Sequence, residues 1–509
     1  MVLNAVARSK NTWNAKLVPL VSLAVVGYFA LMQLARWPDR LRYPGEEDAA
    51  EGTQLSEMVH LRRGVPIYQT PSAGQFDSAI YGPFCYLLGG AVVSPSKPAY
   101  LPLRLLSLAA TLGLATLGAF FVFRITKSKL GAALAPLLLL SNAYVGRYGI
   151  SARADMVALL LAFGGLFAFY RRRESRRALI AAAVLMLLSF FYKQQFVGAP
   201  ASLVLYLVLT KRFRQATEFL AVLVLGAASL VGTFSFVVFP RQHFLTHFLA
   251  YNRLQFNKSL IVPEVLMFVI PLFVPLLASA DFLDSHTDKL VKIYALVAVA
   301  GYFLPLLSSG SGADTNRCLE AVLILNCLMA ARIATAPGIL SGLAWTSFVA
   351  LTLVLVAALS SAFVVPKVRA EDFVADQALQ DYLHHNFLPG TSALTYYAAD
   401  PIRAGLEAPI TNLWHFTALI RKGALSDREV VTRINRGGYG VILLDFDLDH
   451  KNFAMVGDFY TTRSMRESIL AAYTEQAQLE LPTPEVTRFS TKTVHVWVPR
   501  KPSSVGAAR

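Results

Sequence analysis

The stretch RYPGEEDAAEGTQLSEMVHLRRGVPIY, residues 42–68, places five carboxylates shortly after a long apolar segment. They are Glu46, Glu47, Asp48, Glu51 and Glu57. Charged groups near a bilayer are costly unless they line a cavity or pair with other charges. Whether these carboxylates form a solvated turn or serve a site therefore depends on whether the apolar segment crosses a membrane.

The composition indicates a membrane protein. Of 509 residues, 55% are hydrophobic and 16% are charged, whereas a soluble globular protein has about 25% charged residues. The formal net charge of +15 does not indicate nucleic-acid binding, because the basic residues lie in short clusters between apolar runs, where they set topology. The spacing of the three cysteines matches no metal-binding motif, and the cysteines predict neither a disulfide framework nor a zinc site.

Apolar runs of about 18 residues or more recur over the first three quarters of the chain and predict about eleven transmembrane helices. The predicted spans are 16–36, 101–123, 129–147, 153–170, 178–193, 196–210, 217–239, 263–281, 289–307, 317–334 and 338–365. Beyond them, EDFVADQALQDYLHHNF predicts a helix, and YGVILLDF and VHVWVP predict strands. The predicted fold is an α-helical polytopic membrane region, residues 1–365, followed by a soluble α/β domain, residues 366–509.

Basic loops predict the orientation of the spans. The amino terminus and residues 124–129, 171–177 and 211–214 share one side if the spans alternate, and the positive-inside rule makes that side the cytoplasm. The loop 37–100 and the carboxyl-terminal domain then lie outside. Polar segments converge on this outer face, which predicts an outward-facing site covered by extramembrane polypeptide.

The loop 37–100 is longer than a simple connector, and such loops are usually functional. Within it, residues 49–62 can form an amphipathic helix lying along the membrane surface. AIYGPFCYLLGGAV, residues 79–92, predicts a second surface helix.

Several motifs together resemble the GT-C glycosyltransferases. In the first loop the resemblance is carried by a Glu-Gly pair, the amphipathic helix, GVPIY at 64–68 and YGPFCYLL at 81–88. SARADMVALLLAFGGLFAFY at 151–170, FYKQQFVGAP at 191–200 and GADTNRCLE at 312–320 resemble later motifs in the same order. The family includes the protein O-mannosyltransferases and the aminoarabinose transferases of lipid A. The resemblance implies transfer of a sugar from a polyprenyl-phosphate donor, with inversion at the anomeric carbon.

One departure from the family concerns the catalytic base. Many members have Asp-Glu-Gly at the head of the loop helix, whereas this chain has AAEG, with Ala50 at the position of the aspartate. A carboxylate must remove the acceptor proton, so we expect Glu51 or Asp155 as the base and Asp48 as the third candidate. Glu46 and Glu47 remain further alternatives. Asp155 could instead cap the fourth span or pair with Arg153.

The phosphate of the donor requires cationic side chains. The predicted substrate- and phosphate-binding residues are Tyr81, Arg147, Arg153, Lys193, Gln194, Arg253, Lys258, Asn316 and Arg317. Arginine suits bidentate phosphate contacts, whereas lysine acts as a point charge. Two alternatives remain open: Lys193 could extend to the membrane interface, and Arg317 could pair with Glu320 one turn later.

The predicted partners are the donor lipid, membrane lipids and an acceptor that is a lipid, a glycan or a protein, with no nucleic acid. No compact metal-ligand set is visible, and a divalent metal stays open as a cofactor. The alternatives are a lipid-linked glycan transporter, for which we find no inverted repeat, and a glycan polymerase or ligase. The predicted location is the bacterial cytoplasmic membrane, with the endoplasmic reticulum as the alternative.

Overall fold

The structure is a computed structural model, which describes residues 23–69, 74–240, 243–251, 261–285, 288–308, 315–335, 368–448, 460–480 and 493–500. The chain forms two compact units, each assembled from three segments. Unit 1 comprises Met1–Pro38, Leu105–Leu230 and Phe256–Val365. Unit 2 comprises Asp39–Arg104, Val231–Gln255 and Pro366–Arg509.

Helices occupy the first ten predicted spans, and the eleventh, 338–365, lies outside the described residues. In chain order, and including two helices of the first loop, they are α1 (23–42), α2 (Ala49–Arg62), α3 (Pro83–Val92), α4 (Leu101–Thr126), α5 (Lys129–Ser141), α6 (Ala143–Tyr148), α7 (Asp155–Arg171), α8 (Arg176–Tyr192), α9 (Gly198–Leu209), α10 (Phe213–Thr233), α11 (Ile261–Ser285), α12 (Lys289–Ser308) and α13 (Leu319–Thr335). A π-helical turn, Phe234–Val238, continues α10.

Three helices of the described ranges are long and apolar enough to cross a membrane, judged by length and composition. They are Leu101–Thr126, Phe213–Val238 and Asn316–Thr335. The total of about eleven spans stays a prediction.

Helix α13 forms the core of unit 1. It packs against α5, α11 and α12. Nearly all of its side chains are buried, from Leu319 to Ile333. A helix that is apolar on all sides is stable only when it is surrounded, and this accounts for its central position.

The predicted span 129–147 is two helices and not one. Asn142 separates α5 from α6, with extended backbone and a side-chain oxygen that accepts the N–H of Tyr144 at 3.0 Å. Asparagine is a strong N-cap residue, so a new helix begins there. The break shortens α5 and gives Arg147 a place on the separate helix α6.

Unit 2 contains a four-stranded sheet of order β1-β2-β4-β3. The strands are β1 (Ala393–Thr395), β2 (Val441–Leu444), β3 (Tyr473–Glu480) and β4 (Thr493–Pro499); β1 and β2 are parallel and the other pairs antiparallel. The described helices around it are Ala370–Asn386, Ala399–Arg403, Leu413–Arg421, Arg428–Asn435 and Arg463–Ala472. Alternate residues of β2 enter two different apolar cores, because both faces of the sheet are covered.

The first loop packs with the carboxyl-terminal domain in unit 2, so the compact units do not coincide with the division at residue 365. Phe76 of the loop pairs with Ile410 as an isolated β-bridge and lies in the same apolar core as β2. Helix α2 covers the predicted range 49–62, but its residues Glu51–His60 are all buried, where the sequence predicted an amphipathic surface helix. Gly89 of α3 permits this packing, since a Cβ there would lie 2.3 Å from Met58.

Candidate active site

Glu51, the first predicted base, is fully buried and paired with a buried arginine. Its Oε2 atom accepts a hydrogen bond of 2.7 Å from Nη2 of Arg104 and one of 2.9 Å from the backbone N–H of Glu47. Nε of Arg104 donates to the other oxygen, Oε1, at 3.4 Å. Both oxygens of Glu51 are therefore engaged, and each charge of the pair is balanced by its partner.

All five guanidinium N–H groups of Arg104 donate hydrogen bonds to residues 40–51, at the start of the first loop. Nη1 donates to the carbonyls of Arg40 and Tyr43 at 2.8 Å and 2.5 Å, and Nη2 donates to the carbonyl of Gly45 at 2.7 Å. Together with the two bonds to Glu51, these contacts use all five donors of the side chain. Arg104 thus fixes the path of the chain between α1 and α2.

The two carboxylates that precede α2 are also held in place. Glu47 accepts bonds of 2.7 Å and 2.5 Å from Nε and Nη2 of Arg40, and both side chains are buried. Asp48 is the N-cap of α2, and its Oδ1 atom accepts the N–H groups of Ala50 and Glu51 at 3.0 Å and 3.1 Å. An acidic N-cap satisfies two helix donors and interacts favourably with the helix dipole, so α2 begins at this point.

Glu46 differs from these neighbours in its hydrogen bonding. The hydroxyl of Tyr100 donates to its Oε2 atom at 3.3 Å, whereas Oε1 is buried without a hydrogen-bond partner among the described residues. The residue is 6% exposed. Burial, and then the negative charges of Asp400, Asp48 and Glu51, raise the pKa of Glu46 well above its ordinary value. We call Arg40, Glu46, Glu47, Glu51 and Arg104 the loop-head cluster.

Unit 1 brings together four other predicted residues, the Asp155 cluster, which comprises Arg153, Asp155, Lys193 and Asn316. Oδ1 of Asp155 accepts hydrogen bonds from Nζ of Lys193 at 2.5 Å and from Nδ2 of Asn316 at 2.9 Å. Oδ2 accepts from Nε of Arg153 at 3.2 Å. All four residues are buried. The pairing of Asp155 with Arg153, one of the alternatives from the sequence, is confirmed.

Helix ends position the members of this cluster. Asp155 is the first residue of α7, Lys193 directly follows α8, and Asn316 lies in a 3₁₀ turn before α13. Nε2 of Gln195 donates to the carbonyl of Asn316 at 2.8 Å and ties the segment after α8 to this turn. Three segments that are distant in sequence therefore meet at one carboxylate.

The ring of Tyr148 contacts a second guanidinium group, that of Arg147, beside the Asp155 cluster. Arg147 and Arg153 both lie against this ring, at 5.1 Å and 5.0 Å from the centroid, which is the range of a cation–π contact. With Lys193, these side chains are three cations against the one carboxylate of Asp155, a net charge of +2. Such a group is suited to an anion with several oxygens, such as a phosphate.

The remaining predicted residues are placed as follows. Tyr81 precedes α3, and its carbonyl accepts the hydroxyl of Tyr68 at 3.2 Å. Gln194 follows Lys193 in the segment between α8 and α9, and Arg317 lies in the 3₁₀ turn beside Asn316. Arg253 and Lys258 lie outside the described residues.

Neither arginine of the loop-head cluster was predicted from the sequence. Arg104 is a single charge four residues into an apolar span, and such residues are costly unless they pair, which is the signal that could have identified it. Arg40 follows the first predicted span among other charged residues, and no pattern in the sequence distinguished it from them. The partner of neither residue could be identified from spacing, because the pair Glu51–Arg104 is 53 residues apart.

Within the ranges that the structure describes, no group of three or more His, Cys, Asp or Glu side chains is arranged to hold a metal ion. The carboxylates Glu47, Glu51 and Asp155 instead pair with arginine or lysine.

Comparison with solved structures identifies the fold. The crystal structure of ArnT from Cupriavidus metallidurans in the apo state matches with a TM-score of 0.57 at 11% sequence identity, covering 93% of this chain and 97% of ArnT. ArnT bound to undecaprenyl phosphate matches over the same shares with a TM-score of 0.56. No protein-family model and no curated protein matches the chain. The predicted resemblance to the GT-C family, which includes aminoarabinose transferases such as ArnT, is confirmed in the fold.

Proposed function

We propose that this chain is an integral membrane glycosyltransferase that moves a sugar from a polyprenyl-phosphate donor to a lipid, glycan or protein acceptor. The observation that carries the proposal is the fold match over 93% of this chain and 97% of ArnT, a protein also solved with undecaprenyl phosphate bound. Fold alone does not establish function, so the proposal also depends on the chemistry of the two clusters.

The Asp155 cluster and Arg147 supply what a polyprenyl phosphate requires. Phosphate oxygens accept charge-assisted hydrogen bonds from guanidinium and ammonium groups. Fixed cations also stabilise the charge that grows on the phosphate as the sugar departs. In this proposal Arg147, Arg153 and Lys193 bind the phosphate, and Asp155 holds two of them in place before the donor arrives. Tyr81, Gln194, Arg253, Lys258, Asn316 and Arg317 are further proposed substrate contacts.

A carboxylate accepts the proton of the attacking hydroxyl, and Glu51, Asp155 and Asp48 are the predicted candidates. Glu51 and Asp155 each hold a buried cation. Substituting either residue therefore removes a candidate base and at the same time removes the carboxylate that pairs with a buried cation. A test of the base must measure folding together with activity.

We propose a single displacement at the anomeric carbon, which inverts its configuration, because the family resemblance implies that course. We also propose the bacterial cytoplasmic membrane as the location. The basic loops favour a cytoplasmic amino terminus, with the loop 37–100 and the domain 366–509 outside the membrane.

The test uses purified protein in liposomes with a panel of labelled polyprenyl-phosphate sugars and a membrane glycolipid extract. Transfer of label to an acceptor by the wild type, lost on Lys193→Met, is the expected result. The control is Lys97→Met, which removes an exposed lysine outside both clusters.

Two outcomes would overturn the proposal. If no donor of the panel gives labelled product while labelled lipid crosses the bilayer, the chain is a transporter of lipid-linked glycans. If whole glycan chains move from the lipid carrier, and not single sugars, the activity is that of a polymerase or ligase.

A further inference from the structure

We propose that Glu46 is the carboxylate that accepts the proton of the attacking hydroxyl. This inference rests on the proposed function and selects as the base a residue that the sequence left as a further alternative to Glu51, Asp155 and Asp48.

The other carboxylates at the start of the first loop already accept hydrogen bonds that stabilise the structure. Both oxygens of Glu51 bind Arg104, and both oxygens of Glu47 bind Arg40. Asp48 caps α2 through two backbone N–H groups. A carboxylate whose lone pairs already accept strong donors is a poor acceptor for a further proton. Among these acids, Glu46 has an oxygen atom, Oε1, that accepts no hydrogen bond from the described residues, so this atom can accept a proton.

The two oxygens of Glu46 have different surroundings. Oε2 accepts one long bond, 3.3 Å from the hydroxyl of Tyr100. Oε1 has no hydrogen-bond partner among the residues that the structure describes, although it is buried. A buried polar atom without a partner is costly in a folded protein and calls for an explanation, of which a catalytic role is one. The geometry therefore assigns Oε1 to an acceptor hydroxyl.

Gly52 creates the space that the carboxyl group occupies. A Cβ atom at this position would lie 1.5 Å from Oε2 of Glu46 and 2.7 Å from its carboxyl carbon. Any side chain at residue 52 would have to displace Glu46. The Glu-Gly pair of the first loop thus has two structural roles. Glu51 binds Arg104, and Gly52, which has no side chain, leaves space for the carboxyl group of Glu46.

Burial and the charges around Glu46 make it a stronger base than an exposed glutamate. Asp400, Asp48 and Glu51 are the carboxylates that act on it, and Arg104 lies 4.9 Å from the centre of the Tyr100 ring beside it. Burial raises the pKa of Asp400 as well, to about 7. A carboxylate with a raised pKa is a stronger base once it is ionised.

The chemical step balances as a substitution. The acceptor O–H bond breaks and its proton passes to Glu46, while the acceptor oxygen bonds to the anomeric carbon of the sugar. The bond from that carbon to the phosphate oxygen breaks, and its electron pair leaves with the polyprenyl phosphate. One carboxylate is neutralised and one negative charge is added to the phosphate, so no other reactant is needed.

The experiment measures sugar transfer from pH 5 to pH 9 in wild type, Glu46→Gln and the control Glu407→Gln, which changes an exposed glutamate outside both clusters. In the wild type the rate should rise with pH as Glu46 ionises. Glu46→Gln should lose about 100-fold or more and lose that pH dependence. Glu407→Gln should keep the activity and the pH dependence of the wild type. Substantial activity in Glu46→Gln, or an equal loss in Glu407→Gln, overturns the assignment.

Two further readouts separate catalysis from folding and from the proposed function. Infrared spectra of wild type minus Glu46→Gln, recorded without substrate, should show a carboxyl that titrates above its ordinary range. Gly52→Ala should reduce transfer as Glu46→Gln does, whereas Gly232→Ala, where a Cβ meets nothing within 4 Å, should not. An active Gly52→Ala variant contradicts the inference. If the wild type transfers no sugar, the proposed function fails as well.

Discussion

Substituting Glu51 by glutamine tests whether this residue is a structural anchor or the base. The amide keeps the shape of the carboxyl, and its oxygen can still accept one bond from Arg104. It loses the negative charge and the second accepting oxygen, which removes the hydrogen-bonded counter-ion of a fully buried guanidinium. Breaking a buried ion pair on one side costs about 3–5 kcal/mol, and the retained bond favours the lower value, about 3 kcal/mol.

The size of the thermal shift follows from the length of the chain. An unfolding entropy of about 2.1 cal/mol/K per residue gives about 1 kcal/mol/K for 509 residues. A loss of about 3 kcal/mol therefore lowers the unfolding midpoint by about 3 °C if the chain unfolds as one unit. Tryptophan fluorescence of the detergent-solubilised protein measures this midpoint. The exposed residue Glu407 supplies the control Glu407→Gln, for which we expect no measurable shift.

The same Glu51→Gln variant is then assayed for sugar transfer well below its midpoint. An anchor predicts a lower midpoint and an activity that falls by less than tenfold. An unchanged midpoint with a loss of about 100-fold would refute this reasoning, and would make Glu51 the base, as the sequence analysis first proposed.

Two further predictions concern the other cluster and a second buried acid. Lys193→Met should weaken binding of undecaprenyl phosphate by about tenfold or more, since a bond to a charged group contributes about 1.5–3 kcal/mol; equal binding in a direct titration would contradict the proposed role. Burial raises the pKa of Glu57 from 4.5 to about 8. Its neutral form therefore contributes stability that is full below pH 4.5 and is lost as the pH rises through about 8, up to about 5 kcal/mol. The midpoint of the wild type should fall between pH 5 and pH 9 more steeply than that of Glu57→Gln, and parallel curves would refute the shift.

The sequence predicted the helices well because each carries its own local pattern. The range of α2, for example, begins after the capping residue Asp48 and ends before Gly64, whose φ of 78° suits glycine. Strand β2 was predicted from its apolar run, whereas β3, Tyr473–Glu480, was not, because its exposed face is rich in polar residues. That strand is defined by pairing with β4 and not by its own composition.

Part of the candidate site was predicted from the sequence. A contact between residues close in sequence was predicted, whereas contacts between distant residues were not. Arg153 and Asp155 are neighbours in one motif, and the sequence analysis named their pairing as an alternative. Lys193 and Asn316 were named separately, and only the fold shows that both bind Asp155. The partner of Glu51 was missed altogether, because helix packing sets which charge of one segment meets which charge of another.

The most direct test of the central claim is a single-turnover measurement on protein preloaded with a labelled undecaprenyl-phosphate sugar. After acceptor extract is added, mass spectrometry follows the sugar and the lipid separately. The proposed function predicts labelled acceptor and free undecaprenyl phosphate in equal amounts, at a rate that depends on the carboxylates and cations named above. Recovery of intact donor, with no labelled product from any acceptor fraction, would contradict it.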